Sequence, residues 1–250
     1  MKKAFTLAEV LITLGIIGIV AALTIPTLMQ KHNDAVIVNR FKKTYSALQN
    51  AYEMMQAEYG MADKWDLRGH AAQENELIDR FAKYLKYQQK CYVGDASCVP
   101  NVTYKKANGD DAENWSTEAV VANRSSMILA DGQFFMLNVR VDGTKCPSEE
   151  TDAEKCKPLS DMPLQFYVDI NGEKGPNKKG EDFFYIFADG ESGKLIPGGW
   201  KKTVESKQLN FVIDCINGNG ANCANWIIEN GNVDYLHCSD LSYDGKTKCN

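Results

Sequence analysis

The chain reads as an α+β protein in which a long N-terminal helix packs on an antiparallel sheet with disulfide-closed loops. Three observations predict this class. Apolar residues run almost unbroken from Phe5 to Met29 and continue as a stripe of helical period to Tyr59. Short β-rich runs punctuated by Asp-Gly and Asn-Gly pairs follow from residue 125 onward. All 8 cysteines lie between Cys91 and Cys249, clear of the apolar run, an even number that reads as disulfides formed in an oxidising compartment.

The apolar run begins behind Lys2 and Lys3. From Phe5 to Met29 it would extend about 37 Å as a helix, more than the ~30 Å hydrocarbon core of a bilayer. One carboxylate, Glu9, stands inside it. A charge at the centre of a bilayer helix costs roughly 2.5–3.5 kcal/mol on insertion scales, so an intramembrane acid is read first as functional. A secretory signal peptide would account for the lysines and for the small pair Ala21-Ala22, but neither for the length nor for Glu9. A plain signal anchor accounts for the length and leaves the acid unexplained.

The run A-F-T-L-A-E from Ala4 to Glu9 resembles the type III signal of type IV pilins and type II secretion pseudopilins. The resemblance implies that prepilin peptidase cuts on the cytoplasmic side between Ala4 and Phe5 and methylates the new amine, leaving N-methylphenylalanine at Phe5. Glu9 then becomes the fifth residue of the processed chain. Gly18 and Pro26 fall where such stems commonly carry a glycine and a helix-bending proline, and Gly15 adds a further weak point. Ala4 departs from the family's usual glycine.

On this resemblance residues 1–4 are a leader, 5–29 a transmembrane and filament stem, 30–60 its amphipathic continuation and 61–250 an extracytoplasmic globular α+β domain of pilin-like fold. The implied precursor crosses the inner membrane once and then joins a filament in the periplasm or at the cell surface. Its implied partners are prepilin peptidase, other pilin or pseudopilin subunits, the inner-membrane assembly machinery and the membrane itself. In the filament Glu9 of one subunit would meet the N-terminal amine of a neighbour, so that neither charge is buried alone. The resemblance covers about thirty residues and does not separate a pilus from a secretion pseudopilus. A large, cysteine-rich outer domain favours a minor or specialised subunit. The alternative is a membrane-anchored extracytoplasmic binding protein that does not polymerise.

Composition narrows the rest. With 44% hydrophobic and 24% charged residues the chain is of ordinary globular type, and its net charge of −5 argues against general nucleic-acid binding, so no nucleic-acid partner is expected. The cysteines fall into four neighbouring couples, Cys91/Cys98, Cys146/Cys156, Cys215/Cys223 and Cys238/Cys249. Local pairing is the preferred expectation, although spacing leaves other connectivities open. None of these gaps is as short as a zinc knuckle requires.

Taken in order, Val38, Phe41, Tyr45, Leu48, Tyr52, Met55 and Tyr59 form one helical stripe, and Gly60 is its natural stop. Glu74 to Lys90 carries apolar residues at helical spacing and predicts a second helix. Residues 91–117 are polar and read as a connecting region. Met127 to Ala130 and Phe134 to Val141 predict a hairpin about Asp131-Gly132. Its expected partner strands are Leu164 to Ile170, Phe183 to Ala188 and Leu209 to Ile216. Asn225 to Glu229 and Asn232 to Tyr235, about Asn230-Gly231, predict a last hairpin.

Chemistry-bearing patterns are few. Between Val168 and Ile186, which resembles an inter-strand turn of pilin-like proteins, Asp169, Asn171 and Glu173 alternate and offer oxygens to a calcium ion. Lys174 and Gly180 break the EF-hand pattern, and turn formation explains the same residues. His32, His70 and His237 are scattered, no hydrolase or phosphate-loop motif is present, and no enzymatic activity is expected. Trp200 beside Lys201-Lys202 is a compact basic-aromatic spot, read as a candidate adhesion patch.

Overall fold

Leu7–Tyr59 form one continuous helix, α1. The computed structural model to which it belongs describes residues 6–65, 67, 71–122, 124–140, 162–200 and 207–249. Pro26 lies inside α1, where it forfeits one backbone hydrogen bond, yet the helix runs through it and ends at Gly60, whose φ of +80° an L side chain rarely adopts. The second half buries Val38, Phe41, Thr44, Leu48, Ala51, Tyr52 and Met55. Tyr45 and Tyr59, expected in the stripe, sit half-buried at its borders. Thr44 is accommodated because its hydroxyl donates to the Arg40 carbonyl, 3.2 Å away.

The main sheet is six-stranded and antiparallel, in the order β1-β4-β5-β6-β7-β8. Its strands are β1 Tyr87–Cys91, β4 Ser126–Leu129, β5 Phe134–Val139, β6 Leu164–Asp169, β7 Phe183–Ala188 and β8 Leu195–Pro197. A separate hairpin pairs β2 Thr103–Lys105 with β3 Asp111–Asn114. Both faces of the large sheet are covered, so its central strands read as nearly continuous apolar runs. On one face Phe135, Leu137, Phe166, Val168, Phe184 and Ile186 meet α1 and a second helix, α2 Ala71–Tyr84. Phe41 packs on Phe184 at 4.6 Å between ring centroids, and Phe81 meets Phe166 edge-on at 5.4 Å. Full burial of each such ring contributes roughly 1.5–3 kcal/mol.

The opposite face, with Phe134, Met136, Tyr167, Phe183 and Tyr185, is roofed by the β2-β3 hairpin, the Cys91–Cys98 loop and the short helix α3 Glu118–Val121. Residues 91–117, expected as a connecting region, are therefore a structural layer. Tyr104 and Trp115 plug it into the sheet, the Trp115 ring lying tilted against Tyr167 at 4.5 Å and stacked on Phe183 at 5.4 Å.

Three expected elements differ. The second helix ends at Tyr84, not Lys90, because Tyr87 to Cys91 pair with β4 as an edge strand. Leu209 to Ile216 is helical: α4 Lys207–Asn210 runs into a π-helical turn Phe211–Ile216. Its β-branched residues suggested a strand, but burial recurs at Phe211 and Cys215, four apart, and Phe211 stacks flat on Trp226 at 4.2 Å. The expected last hairpin is instead helix α5 Ala224–Asn230 followed by a 3-10 turn Asp234–Leu236. Gly231, at φ +68°, donates its N–H to the Ile227 carbonyl and ends the helix; an Asn-Gly pair serves a helix C-terminus as readily as a hairpin. The predicted hairpin of β4 and β5 and the strands β6 and β7 stand where expected, while Val141 lies outside the described residues.

Candidate functional site

The first half of α1 projects from the rest of the protein. Leu7, Leu11, Ile12, Leu14, Ile17 and Leu23 are each more than half exposed, and none of the most apolar window of the helix is buried. Such a surface is unfavourable in water and suits a bilayer or a bundle of like helices. Among the described residues α1 is the one helix long and apolar enough to cross a membrane, as an anchor or a signal.

Thr6, Glu9, Thr13 and Thr24 of this half find partners within the helix. Thr6 is the N-cap: its hydroxyl accepts from the Glu9 N–H at 3.2 Å, and the Glu9 carboxylate accepts from the Thr6 N–H at 2.8 Å, a reciprocal capping box. The Thr6 hydroxyl also donates to Glu9 Oε2 at 2.8 Å. Thr13 and Thr24 return their hydroxyls to carbonyls one turn back at 2.9 Å. Nothing lies within 4 Å of where a Cβ would stand on Gly15 or Gly18, so packing within the chain does not demand glycine at either place. Ala4 and Phe5 lie outside the described residues.

The second half of α1 is tied to the sheet by polar contacts as well as by its apolar stripe. Gln56 Nε2 donates to the Gly193 carbonyl at 2.7 Å, Gln49 accepts from the Leu195 N–H at 2.7 Å, and Lys43 pairs with Asp131 at 2.6 Å. Beside Lys43, a cavity of about 480 Å³ opens between α1, the end of α2 and the β4-β5 turn, lined by Ala47, Tyr84, Leu85, Lys86 and Leu129. Lower on the helix, His237 Nε2 contacts both carboxylate oxygens of Asp34, at 3.0 and 2.9 Å, holding the C-terminal part of the chain to the stem.

Three cysteine couples form as expected: Cys91–Cys98, Cys215–Cys223 and Cys238–Cys249. Cys146 and Cys156 lie outside the described residues, as do His70, Lys201 and Lys202; Trp200 is moderately exposed and His32 stands exposed on the stem.

Asp169, Asn171 and Glu173 do not converge. One Asp169 oxygen accepts the N–H groups of Asn171 and Gly172, at 2.9 and 2.7 Å, and the other accepts the Tyr104 hydroxyl. The Asn171 amide donates to the Gly175 carbonyl and to Asp182, both at 3.3 Å, while Glu173 points to solvent. The three residues shape the β6-β7 turn and do not fit a calcium cage. Among the described residues no group of three His, Cys, Asp or Glu side chains forms a metal set. Burial pushes the Asp169 carboxyl up to about 7 and that of Asp182 up to about 6.

A further buried acid escaped sequence reasoning. Glu74, at the start of α2, is buried with one oxygen accepting from the Val139 N–H at 2.8 Å and the other without a hydrogen-bond partner among the described residues. Burial pushes its carboxyl up to about 8, against hydrogen bonding from Val139 and the pull of Arg124. In sequence it is indistinguishable from a solvated helix-start glutamate.

These features define an α+β protein of two-faced antiparallel sheet, carried on a helix that leaves an apolar half unburied. Residues 27–156, just over half of the chain, match the profile of a family of unknown function (DUF6613), and the chain belongs to that family. No curated protein and no solved structure matches it.

Proposed function

We propose that the protein is a pilin-like or pseudopilin-like structural subunit, held in the membrane by the first half of α1 and assembled through it into a filament. The reading is carried by the division of one helix into two halves. The first is apolar, exposed and interrupted by a single acid at Glu9; the second is built into the sheet. A removable signal peptide would have no reason to continue without a break into the core of the folded domain. The N-terminal A-F-T-L-A-E run supports processing between Ala4 and Phe5. In this role the protein is not an enzyme, and its partners are prepilin peptidase, like subunits and the assembly machinery.

Mass spectrometry of the N-terminal peptide from membranes tests the processing. N-methylated Phe5 is expected; an intact Met1 would leave a plain anchor, and a start near Leu23 would mean a secreted protein. The cavity beside Lys43 favours a second reading, an anchored binding protein that does not polymerise. Recovery of the chain in sheared filaments separates the two.

A further inference from the structure

We infer that the groove between α1 and the outer domain at the foot of the stem binds the headgroup of an ammonium-bearing zwitterionic phospholipid, of the phosphatidylethanolamine class. The inference rests on the reading of α1 as a membrane stem. The groove, about 380 Å³, is floored by Pro26, Met29, Gln30, Asn33 and Asp34 of α1 and walled by Lys178, Glu181 and His237 of the outer domain. This volume lies within the range of small-ligand sites.

Its position selects the occupant. Leu7 to Met29 would span about 34 Å, slightly more than the hydrocarbon core, and the headgroup zone of one leaflet adds roughly 5–7 Å. Residues within about five positions of Met29, therefore Gln30 to Asp34, stand at headgroup level. The groove opens there, continuous with the exposed apolar face that ends at Met29. Lipid is thus the molecule present at its mouth at the highest local concentration.

Its charges select the headgroup. Two carboxylates, Asp34 and Glu181, face two nitrogen groups, Lys178 and His237: His237 contacts Asp34 at 2.9 Å, and Lys178 stands 3.9 Å from Glu181. The longer distance leaves Glu181 without a close hydrogen bond from that lysine. Burial holds the Glu181 carboxyl up, Asp34 pushes it further the same way, and Lys178 and His237 draw it back, so a cation placed beside the two acids relieves their repulsion. An ethanolamine ammonium carries three N–H donors for these oxygens, while its phosphate remains within the field of Lys178 and His237. A choline headgroup has no N–H to donate, and a glycerol headgroup has no cation, so its lipid's phosphate charge stands uncompensated beside two acids.

The test uses the full-length chain, one copy per lipid nanodisc, in phosphatidylethanolamine, phosphatidylcholine or phosphatidylglycerol, with hydrogen exchange read over residues 178–182 and 236–238. Protection roughly tenfold greater in phosphatidylethanolamine is expected, the worth of one charge-assisted hydrogen bond. Glu181→Gln should abolish the difference without altering exchange in β5 and β6. Equal protection in all three lipids would overturn the proposal and leave the stem reading standing. Protection in phosphatidylglycerol equal to that in phosphatidylethanolamine, with less in phosphatidylcholine, would show that the ammonium is not what is recognised and overturn the ammonium assignment. Protection that appears only with two copies per disc would make the groove a contact between subunits and overturn the proposal. Failure of the chain to enter discs would remove the stem reading, and the headgroup site with it.

Discussion

At the scale of single residues, the buried acids carry the sharpest expectations. The Glu74 carboxyl sits at about 8 in the folded chain, against an ordinary value near 4.3. Below about pH 4 folded and unfolded chains both hold its proton, and its contribution to stability is intact. As pH rises the unfolded chain releases the proton first, so stability falls by about 1.4 kcal/mol per pH unit until the folded group also ionises near 8. Glu74→Gln keeps an acceptor for Val139 and removes the titration. Its urea midpoint should therefore gain on that of the parent steadily from pH 5 to pH 8; a constant difference would disprove the assignment. Tyr104→Phe deprives Asp169 of one of its three donors in a buried setting and should cost about 1–3 kcal/mol. The cost should be larger at pH 8 than at pH 5, since the anion is the form that needs the donor. Denaturation of the detergent-solubilised chain at the two pH values measures it.

At the scale of elements, α2 is held chiefly by Leu77, Ile78 and Phe81, and Phe81 meets Phe135 and Phe166 edge-on. Phe81→Ala should cost about 3–5 kcal/mol, read as a lowered denaturation midpoint with exchange of α2 amides accelerated ahead of those in β6. Legibility differed by element for a physical reason. The α1 stripe and the β4-β5 hairpin were readable because period and turn chemistry are local properties of the chain. The segments at 209–216 and 225–235 were not, because V-I-D-C-I and W-I-I suit strand or helix, and the choice fell to the stacking of Phe211 on Trp226 and to Gly231 as a helix end. Residues 91–117 were misread for want of periodicity: Tyr104 and Trp115 are isolated aromatics in polar text, and only the sheet beneath them makes them core.

At the scale of the whole molecule, stability and the proposed assembly draw on different halves of α1. The Cys238–Cys249 bridge closes the C-terminal segment whose His237 grips the stem at Asp34. Replacing both cysteines with serine should cost about 2–3 kcal/mol by the chain-entropy account and speed exchange at residues 234–238, leaving the sheet folded. Glu9→Gln removes the one acid of the apolar half and touches nothing in the outer domain. It should leave membrane insertion and the denaturation midpoint unchanged while lowering recovery in sheared filaments; normal recovery would refute a role for Glu9 in assembly.

Sequence alone determined the long helix, its apolar and amphipathic halves and the position of Glu9. Each follows from spacing along the chain, which needs no partner to express itself; for the cysteines spacing made local pairing only the preferred expectation, and the structure decided it at Cys91, Cys215 and Cys238. The tertiary structure decided which acids lose water, which polar segment becomes the second layer and which residues from positions 34, 178, 181 and 237 meet in one groove. Desolvation and convergence depend on what the rest of the chain places nearby, and residues some 200 positions apart carry no local mark of their meeting.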